Sequence, residues 1–217
     1  MSAQPLPMVV LVSGRGTNLQ SIIDAVAAGE LPATIRAVIS NEAGVSALER
    51  AASAGITTEV VRHRDFADRK SFERALVRVV EPYAPQLIVL AGFMRILTST
   101  FVDRYRGRII NIHPSLLPRF PGLDTHRRAL EAGVREHGAT VHFVTGELDA
   151  GPIIVQARVP VLPNDTPDRL AARVLEQEHR ILPRAIRWFA EGRLELRGDT
   201  VLRDGRPALE ALDESAT

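Results

Sequence analysis

The chain contains 217 residues, of which 27 are basic and 26 are acidic, and it contains no cysteine. The absence of cysteine excludes a disulfide framework, a thiolate nucleophile, an iron–sulfur cluster and cysteine-ligated zinc. Lys70 is the only lysine, and its surroundings match neither a Schiff-base lysine nor the lysine of a phosphate-binding loop. A net charge of +1 and a hydrophobic content of 45% are ordinary for a globular protein and give no reason to expect nucleic acid or a membrane as a partner.

Short apolar runs alternate with amphipathic stretches in the first half of the chain. Strands are predicted for residues 8–13, 34–40, 57–61, 87–91 and 108–113. Helices are predicted for residues 18–28, 45–54, 69–81 and 98–105. Strands separated by helices at this rhythm indicate βαβ crossovers and a parallel sheet with helices on both faces.

A proline-rich segment opens the second half of the chain. Its three prolines predict a stiff extended loop over residues 114–122. Two strands follow, at residues 138–144 and 153–161, and a turn-rich segment joins them.

The remaining elements are a long helix and a hairpin. The helix is predicted for residues 166–191, with Asp165 or Thr166 as its cap and a kink at Pro183. The turn signal at residues 203–205 lies between apolar residues and predicts a C-terminal hairpin.

Together these elements predict an α/β protein with a three-layer, mostly parallel, Rossmann-like twisted sheet and an antiparallel C-terminal part. We found no repeat and no linker, so we expect a single domain over residues 1–217. Residues 1–7 lack the charged and apolar regions of a secretory signal, and no apolar run is long enough to span a bilayer. We therefore expect a cytoplasmic protein.

A glycine-containing segment, SGRGTN at residues 13–18, lies between the first strand and the first helix. Its glycines permit close backbone approach, and the helix N-terminus offers unpaired N–H groups to an anion. Leu19 stands where a dinucleotide fingerprint needs a third glycine, and the lysine of a Walker loop is missing, so a single phosphate is the favoured ligand. The alternative is a glycine turn without a ligand, and Arg15 either adds charge or points to solvent.

Asn111 and His113 end the fifth predicted strand at the carboxyl edge, where open α/β sheets bind ligands. The strand period of two places both on one face, and Pro114 biases His113 toward an extended backbone. An amide donor beside an imidazole can stabilise a developing oxyanion and handle protons. A single histidine of this kind is, however, more often structural.

Asp149 lies in a turn, ELDAGP, at residues 147–152. Turns with aspartate and glycine are common, so the residue gains a functional interpretation only if it meets His113 in space. A carboxylate in that place would favour the imidazolium form of the histidine.

Two further features have weaker implications. The segment GFMRIL at residues 92–97 follows the fourth strand and either lines a pocket for a flat aromatic ligand or begins the next helix. His137 and His142 are five residues apart, a spacing that does not align two ligands on a strand face, so we expect no metal site.

Several longer motifs resemble those of a known family. They are AGFMRIL (residues 91–97), NIHPSLLPRFPG (111–122), HGATVHFVTGELDAGPIIVQ (137–156) and QEHRILP (177–183). With SGRGTNLQ near the start, the chain resembles the phosphoribosylglycinamide formyltransferases, a branch of the folate formyltransferase and hydrolase superfamily, from about residue 8 to about residue 194.

The resemblance implies transfer of a formyl group from the co-substrate 10-formyltetrahydrofolate to the amine of 5-phosphoribosylglycinamide, without a metal. The implied catalytic residues are Asn111, His113 and Asp149. The implied ribonucleotide-binding residues are Gly16, Thr17, Asn18 and Glu178. The implied folate-binding residues are Arg69, Met94, Arg95, Ile96, Leu97, Asn111, Thr145 and Asp149.

The same resemblance divides the expected domain into parts. These are a flexible N-terminus (residues 1–7), a nucleotide-binding half (8–110), a catalytic and folate half (111–194) and a C-terminal hairpin and tail (195–217). We expect small-molecule substrates as partners, neither nucleic acid nor a membrane, and leave a homodimer open.

Three alternatives have different sequence expectations. Formyltetrahydrofolate deformylases use water as acceptor and carry an N-terminal regulatory domain, which we do not expect here because the first strand is predicted at residue 8. Methionyl-tRNA formyltransferases add a C-terminal barrel, for which the residues after Arg197 are too few. A non-catalytic nucleotide-binding module would use the glycine loop and leave Asn111, His113 and Asp149 unexplained.

Overall fold

The computed structural model describes residues 4–209 of the chain. The strands are β1 (Leu6–Val12), β2 (Ala33–Ser40), β3 (Thr58–Val60), β4 (Leu87–Leu90), β5 (Ile109–His113), β6 (Glu136–Phe143), β7 (Ile153–Pro160), β8 (Leu194–Arg197), β9 (Thr200–Arg203) and β10 (Arg206–Pro207). The helices are α1 (Thr17–Ala27), α2 (Ser46–Ser53), α3 (Arg69–Val80), α4 (Ser99–Arg104), α5 (Thr125–Glu131) and α6 (Pro167–Ala190). Two single 3₁₀ turns lie at His63–Asp65 and Glu81–Tyr83.

Two sheets contain these strands. The larger has the strand order β3-β2-β1-β4-β5-β6-β7, and the smaller has the order β10-β9-β8. Strand β1 pairs in parallel with β2 and β4, β2 with β3, and β4 with β5, whereas β6 and β7 are antiparallel. The predicted α/β class, with a mostly parallel sheet and an antiparallel C-terminal part, is confirmed.

The chain separates into two compact units, with the boundary between Asn111 and Ile112. The predicted division between the two halves lies one residue before this boundary. The prediction of a single domain over residues 1–217 stays a prediction.

The first unit is built around strands that are apolar on both faces. The side chains of β1 from Met8 to Val12 have no exposed surface, as expected for a central parallel strand covered on both sides. Helix α1 contributes buried Leu19 and Ile22 to this core, and α3 contributes Phe72, Leu76 and Val80. The spacing of these residues explains why both stretches form helices with one buried face.

The second unit is built around the antiparallel pair β6–β7 and the long helix α6, which packs against both strands. The Thr166 side chain caps α6 by accepting the Arg169 N–H at 3.3 Å, and Pro167 occupies the first turn. The helix continues without interruption through Pro183. The predicted C-terminal hairpin is present as β9–β10, and β8 adds a third strand.

Two predictions about local structure need correction, and the structure adds one helix. Strand β1 begins at Leu6, inside the segment expected to be a flexible N-terminus, because the Leu6 N–H donates to the Pro32 carbonyl at 2.9 Å. The proline-rich loop is not extended throughout: it contains a turn in which the Arg119 N–H donates to the Leu116 carbonyl. Helix α5 was not predicted.

Parts of two predicted segments lie outside residues 4–209, which the structure describes. Residues 1–3 of the expected N-terminal segment and residues 210–217 of the expected tail are outside the described residues. Within residues 4–209, no helix has both the length and the apolar character needed to cross a membrane.

Candidate functional site

The glycine loop between β1 and α1 ends in a backbone conformation that favours glycine. Gly16 precedes α1 with φ +73°, and α1 begins at Thr17 without a side-chain cap. A Cβ on Gly16 would lie 2.6 Å from both Cα and Cβ of Ala47, the second residue of α2. The loop is therefore pressed against α2, and the first-turn N–H groups of α1 have no acidic side chain in that turn.

The segment after β4 is connected to the glycine loop by a short hydrogen-bond chain. The Met94 N–H donates to Ser13 Oγ at 2.7 Å, and the Ser13 hydroxyl donates to Asn41 Oδ1 at 2.5 Å. The Asn41 amide in turn lies 3.1 Å from Nδ1 of His63. These contacts join the carboxyl ends of β1, β2 and β4, where the sequence predicted ligand-binding residues.

Helix α3, which begins with Arg69, is fixed at both its start and its middle. Asp68 caps it by accepting the Ser71 N–H at 2.6 Å, which lowers the pKa of the Asp68 carboxyl. Farther along, buried Glu73 accepts the Thr98 N–H at 2.6 Å and also bonds the Thr98 hydroxyl. Helix α3 is thereby joined to the end of the segment that contains residues 94–97, although Met94 and Ile96 themselves remain exposed.

In the second unit, His113 and Asp149 lie next to each other. From the sequence, a functional role for Asp149 was expected only if the two residues met in this way. His113 Nδ1 lies 3.4 Å from Asp149 Oδ2, and the two side chains are only 7% and 9% exposed. The other ring nitrogen, Nε2, lies 3.0 Å from the carbonyl oxygen of Phe120. Both ring nitrogens thus face acceptors.

Asp149 is held in place by the turn that carries it. Its backbone has φ +51°, which an aspartate tolerates better than most residues. Its Oδ2 accepts the Gly122 N–H at 2.8 Å, so the carboxylate also fixes the end of the proline-rich loop. Its Oδ1 lies 3.9 Å from Nε2 of His142, a distance too long for a direct hydrogen bond.

His142 is a residue of this site that was not predicted from the sequence. It is 2% exposed, and its Nδ1 lies 2.9 Å from the Phe143 carbonyl. Burial lowers the pKa of His142, while the Phe143 carbonyl and the Asp149 carboxylate act in the opposite direction. The sequence signal that could have identified His142 is its position on β6, seven residues before Asp149. This spacing indicates that the two residues are close only when the fold of the turn between them is known.

Two more histidines lie in the same unit, His137 fully buried and His126 half-buried. The rings of His126 and His137 are T-shaped at 5.3 Å between centroids, and the Phe120 ring lies 5.8 Å from that of His137. Burial lowers the pKa of His137 to about 4, and repulsion from His126 acts in the same direction. Burial also lowers the pKa of His126. These rings therefore form a neutral, packed support beneath the loop that carries Phe120.

The remaining predicted residues lie in different places along the chain. Asn111 is half-buried on β5, two residues before His113, so the two share a face of that strand. Glu178 is buried on α6, and Thr145 follows β6, where its hydroxyl lies 3.4 Å from the Glu147 carbonyl. Within residues 4–209, no group of three or more histidine, aspartate or glutamate side chains has an arrangement that would hold a metal ion.

Comparisons with known proteins show that this chain is similar to formyltransferases and to a deformylase. The formyl transferase family matches residues 6–186. The phosphoribosylglycinamide formyltransferase of Escherichia coli (strain K12) is 53% identical over 199 residues, covering 92% of this chain and 94% of that protein. The structure of phosphoribosylglycinamide formyltransferase from Coxiella burnetii has a TM-score of 0.90 at 54% identity, covering 94% of this chain and 95% of that chain. A formyltetrahydrofolate deformylase from Pseudomonas syringae pv. tomato has a TM-score of 0.87 at 30% identity, covering 93% of this chain and 67% of that chain.

Proposed function

The chain belongs to the formyl transferase family, and from this we infer that it transfers the formyl group of 10-formyltetrahydrofolate to the amine of 5-phosphoribosylglycinamide in purine biosynthesis. The products are formylglycinamide ribonucleotide and tetrahydrofolate. The geometry that supports this proposal most directly is the buried His113–Asp149 pair at the end of β5.

The reaction needs donors for the oxygen of the formyl group. When the amine attacks the formyl carbon, a C–N bond forms and the carbonyl oxygen gains negative charge. Asn111 donates an amide hydrogen to this oxygen, and His113, as an imidazolium, adds a charged donor. Removal of one such donor raises the barrier by about 2.7–4 kcal/mol in enzymes that use comparable sites.

His113 must change one partner to take this role. Its Nε2 faces the Phe120 carbonyl at 3.0 Å, whereas its Nδ1 faces Asp149. When the formyl oxygen takes the place of the Phe120 carbonyl beside Nε2, the contact between Nδ1 and Asp149 remains. The ring therefore keeps its orientation. The negative charge of Asp149 stabilises the imidazolium while the amine attacks, because both groups are shielded from water.

Proton transfer completes the step. The attacking amine becomes cationic and loses a proton to Asp149, directly or through one water molecule. Asp149 then passes this proton on to the folate nitrogen, as the bond between that nitrogen and the formyl carbon breaks. Such proton handling contributes roughly 10²–10⁴ to the rate.

The ribonucleotide is proposed to bind through its phosphate at the glycine loop. Gly16, Thr17 and Asn18 offer backbone N–H groups at the positive end of the α1 dipole. Glu178, which is buried on α6, is also proposed to contact the ribonucleotide. No lysine takes part, which agrees with a site built from backbone donors.

The folate is proposed to contact Arg69 and the segment after β4. Exposed Met94 and Ile96 offer apolar surface for a flat ring system, with Arg95 and Leu97 between and after them. Thr145, Asp149 and Asn111 complete the proposed set of folate contacts.

Dependence on the acceptor tests this function. We expect tetrahydrofolate to appear, measured by absorbance, only when phosphoribosylglycinamide and 10-formyltetrahydrofolate are both present. Release at an equal rate without phosphoribosylglycinamide would identify a deformylase, an outcome worth testing because a deformylase shares this fold. Binding of the ribonucleotide without any release would identify a non-catalytic module.

A further inference from the structure

We propose that Arg50, on α2, is a positioning residue for the phosphate of the ribonucleotide. Arg50 holds the glycine loop, residues 13–18, in an orientation in which the backbone N–H groups of the loop point away from α2. This inference rests on the proposed function, which places that phosphate at residues 16–18. Arg50 itself is not proposed to touch the ligand.

The hydrogen bonds to the loop involve its carbonyl groups. Arg50 Nε donates to the Arg15 carbonyl at 2.9 Å, and the Ala47 N–H donates to the Gly14 carbonyl at 3.1 Å. Two successive peptide groups of the loop are thus tied to α2 through their oxygens.

Because the peptides are trans, these contacts to the carbonyl groups also determine where the N–H groups of Arg15 and Gly16 point. Within one trans peptide the C=O and the following N–H point in opposite directions. Because the Gly14 and Arg15 carbonyls point toward α2, the N–H groups of Arg15 and Gly16 point away from it. Successive N–H groups directed to one side form a concave site of the kind that binds phosphate.

Two additional contacts keep this arrangement rigid. Arg50 Nη1 donates to Gln20 Oε1 at 3.1 Å, so the same guanidinium that holds the loop also holds α1. Gly16 fits against Ala47 so closely that even a single added carbon would clash. With the guanidinium planar and its donors fixed in direction, one side chain sets the spacing between the loop and two helices.

The role of Arg50 is distinct from a simple supply of positive charge. Its Nε and Nη1 donors are engaged by protein acceptors. A lysine at this place would keep the charge but would present a single ammonium, which cannot reproduce both bonds at the same angles. Comparison of the methionine and lysine variants therefore separates geometry from charge.

The test uses the full chain with three variants: Arg50→Met, Arg50→Lys and the control Arg36→Met. Arg36 is an exposed arginine on β2 of the same unit, so its substitution removes one charge without touching the loop. Calorimetric titration gives Kd for phosphoribosylglycinamide and, separately, for 10-formyltetrahydrofolate. Steady-state kinetics give kcat and KM for each substrate, and competition by inorganic phosphate probes the phosphate site alone.

We expect Arg50→Met to weaken binding of the ribonucleotide about tenfold or more, the effect of one hydrogen bond from a charged donor. Inorganic phosphate should compete correspondingly less well, while kcat and the KM for the folate change less than about twofold. Arg50→Lys should recover only part of the loss, and Arg36→Met should bind as the wild type does. If Arg50→Met does not fold, the deciding measurement is the ribonucleotide Kd of Arg50→Lys, which should be weaker than that of wild type.

Two results would overturn the inference alone. One is a ribonucleotide Kd that is unchanged in Arg50→Met, or in Arg50→Lys where that variant decides. The other is an equal loss of affinity for both substrates, which would indicate general damage to the unit. If wild-type protein neither binds phosphoribosylglycinamide nor formylates it, the proposed function fails as well.

Discussion

At the scale of single residues, His113 is defined by two acceptors on opposite sides of its ring. The Asp149 carboxylate at 3.4 Å from Nδ1 and the Phe120 carbonyl at 3.0 Å from Nε2 fix the plane of the ring. The chemistry assigned to this residue follows from that environment.

Loss of either partner of this pair should affect turnover far more than binding. We expect His113→Ala and Asp149→Asn each to lower kcat by roughly 10²–10⁴, because oxyanion stabilisation and proton handling are both lost. The affinity for phosphoribosylglycinamide should stay within about threefold of wild type, as measured by calorimetry. Asp168→Asn, on the exposed first turn of α6, is the matched control. An unchanged kcat in either variant would refute the assignment.

Ser13 supplies a second prediction at this scale. Its hydroxyl accepts the Met94 N–H and donates to Asn41, so Ser13→Ala removes the link between the glycine loop and the segment after β4. We expect the KM for 10-formyltetrahydrofolate to rise about fivefold, the effect of one neutral hydrogen bond. Ser53→Ala, at the exposed end of α2, should leave the KM unchanged. No rise in Ser13→Ala would mean that the link does not position the folate segment.

The sequence predicted some residues of the site better than others. Strand period and turn chemistry singled out Asn111, His113 and Asp149 as candidates, whereas their catalytic roles were implied only by the family resemblance. His142 was missed because a single buried histidine in a strand has the same local pattern whether it supports a site or only fills the core. Its relation to Asp149 depends on how the turn folds back, which no local pattern specifies.

At the scale of secondary-structure elements, the two loops at the ends of β1 and β4 are positioned by neighbouring helices. Helix α2 holds the glycine loop through Ala47 and Arg50, and α3 holds the segment after β4 through Glu73. The sequence predicted both helices within one residue of their observed ends, and Phe72, Leu76 and Val80 form the buried apolar stripe of α3. The contacts that fix the loops join elements distant in sequence and were therefore not predictable from periodicity.

Helix α5 shows where the sequence signals fail. It has seven residues, of which only Thr125 and Ala129 are buried, so it lacks the apolar stripe by which helices are recognised. It also begins after Asp124 at φ +56°, without a side-chain cap. Tertiary packing rather than local preference determines this helix.

Gly16 provides a test of the contact between the glycine loop and α2. Gly16→Val places a branched side chain 2.6 Å from the Ala47 backbone and forces a strained backbone at φ +73°. We expect weaker binding of the ribonucleotide, by about tenfold or more, with little change in folate affinity. The matched control is Gly29→Val, which also has a positive φ, +72°, but has open space around it. Equal losses for both ligands, measured by separate titrations, would contradict a phosphate site at this loop.

The cap of α6 gives a stability prediction. Thr166→Ala removes the acceptor for the Arg169 N–H, so the free energy of unfolding should fall by about 1 kcal/mol. Thr57→Ala, an exposed threonine outside any helix, should change it by less than about 0.5 kcal/mol. Denaturant titration checks both values. Equal stability of Thr166→Ala and wild type would mean that water replaces the cap.

At the scale of the whole molecule, buried histidines make stability depend on pH. Burial lowers the pKa of His137 to about 4, below the value of about 6.5 expected in the unfolded chain. The unfolded state therefore binds more protons between these two values. The stability contributed by neutral His137 is fully present above about pH 6.5 and is lost as the pH falls toward about 4.

We expect the free energy of unfolding to decline by on the order of 2–3 kcal/mol across this interval from His137, with a further decline from His126. Urea titrations at several pH values give the slope. The slope should become shallower in His137→Asn, which has no ring to protonate. A slope identical to that of wild type in this variant would assign the pH dependence to other groups.

For the molecule as a whole, the proposed reaction is direct transfer of the formyl group between two bound small molecules. The decisive measurement uses 10-formyltetrahydrofolate with an isotopic label in the formyl carbon, phosphoribosylglycinamide as acceptor and mass spectrometry of all products. Direct transfer predicts one labelled formylglycinamide ribonucleotide for each tetrahydrofolate released, and no label in formate. Label in formate, independent of the acceptor, or label that remains entirely on the folate would contradict it.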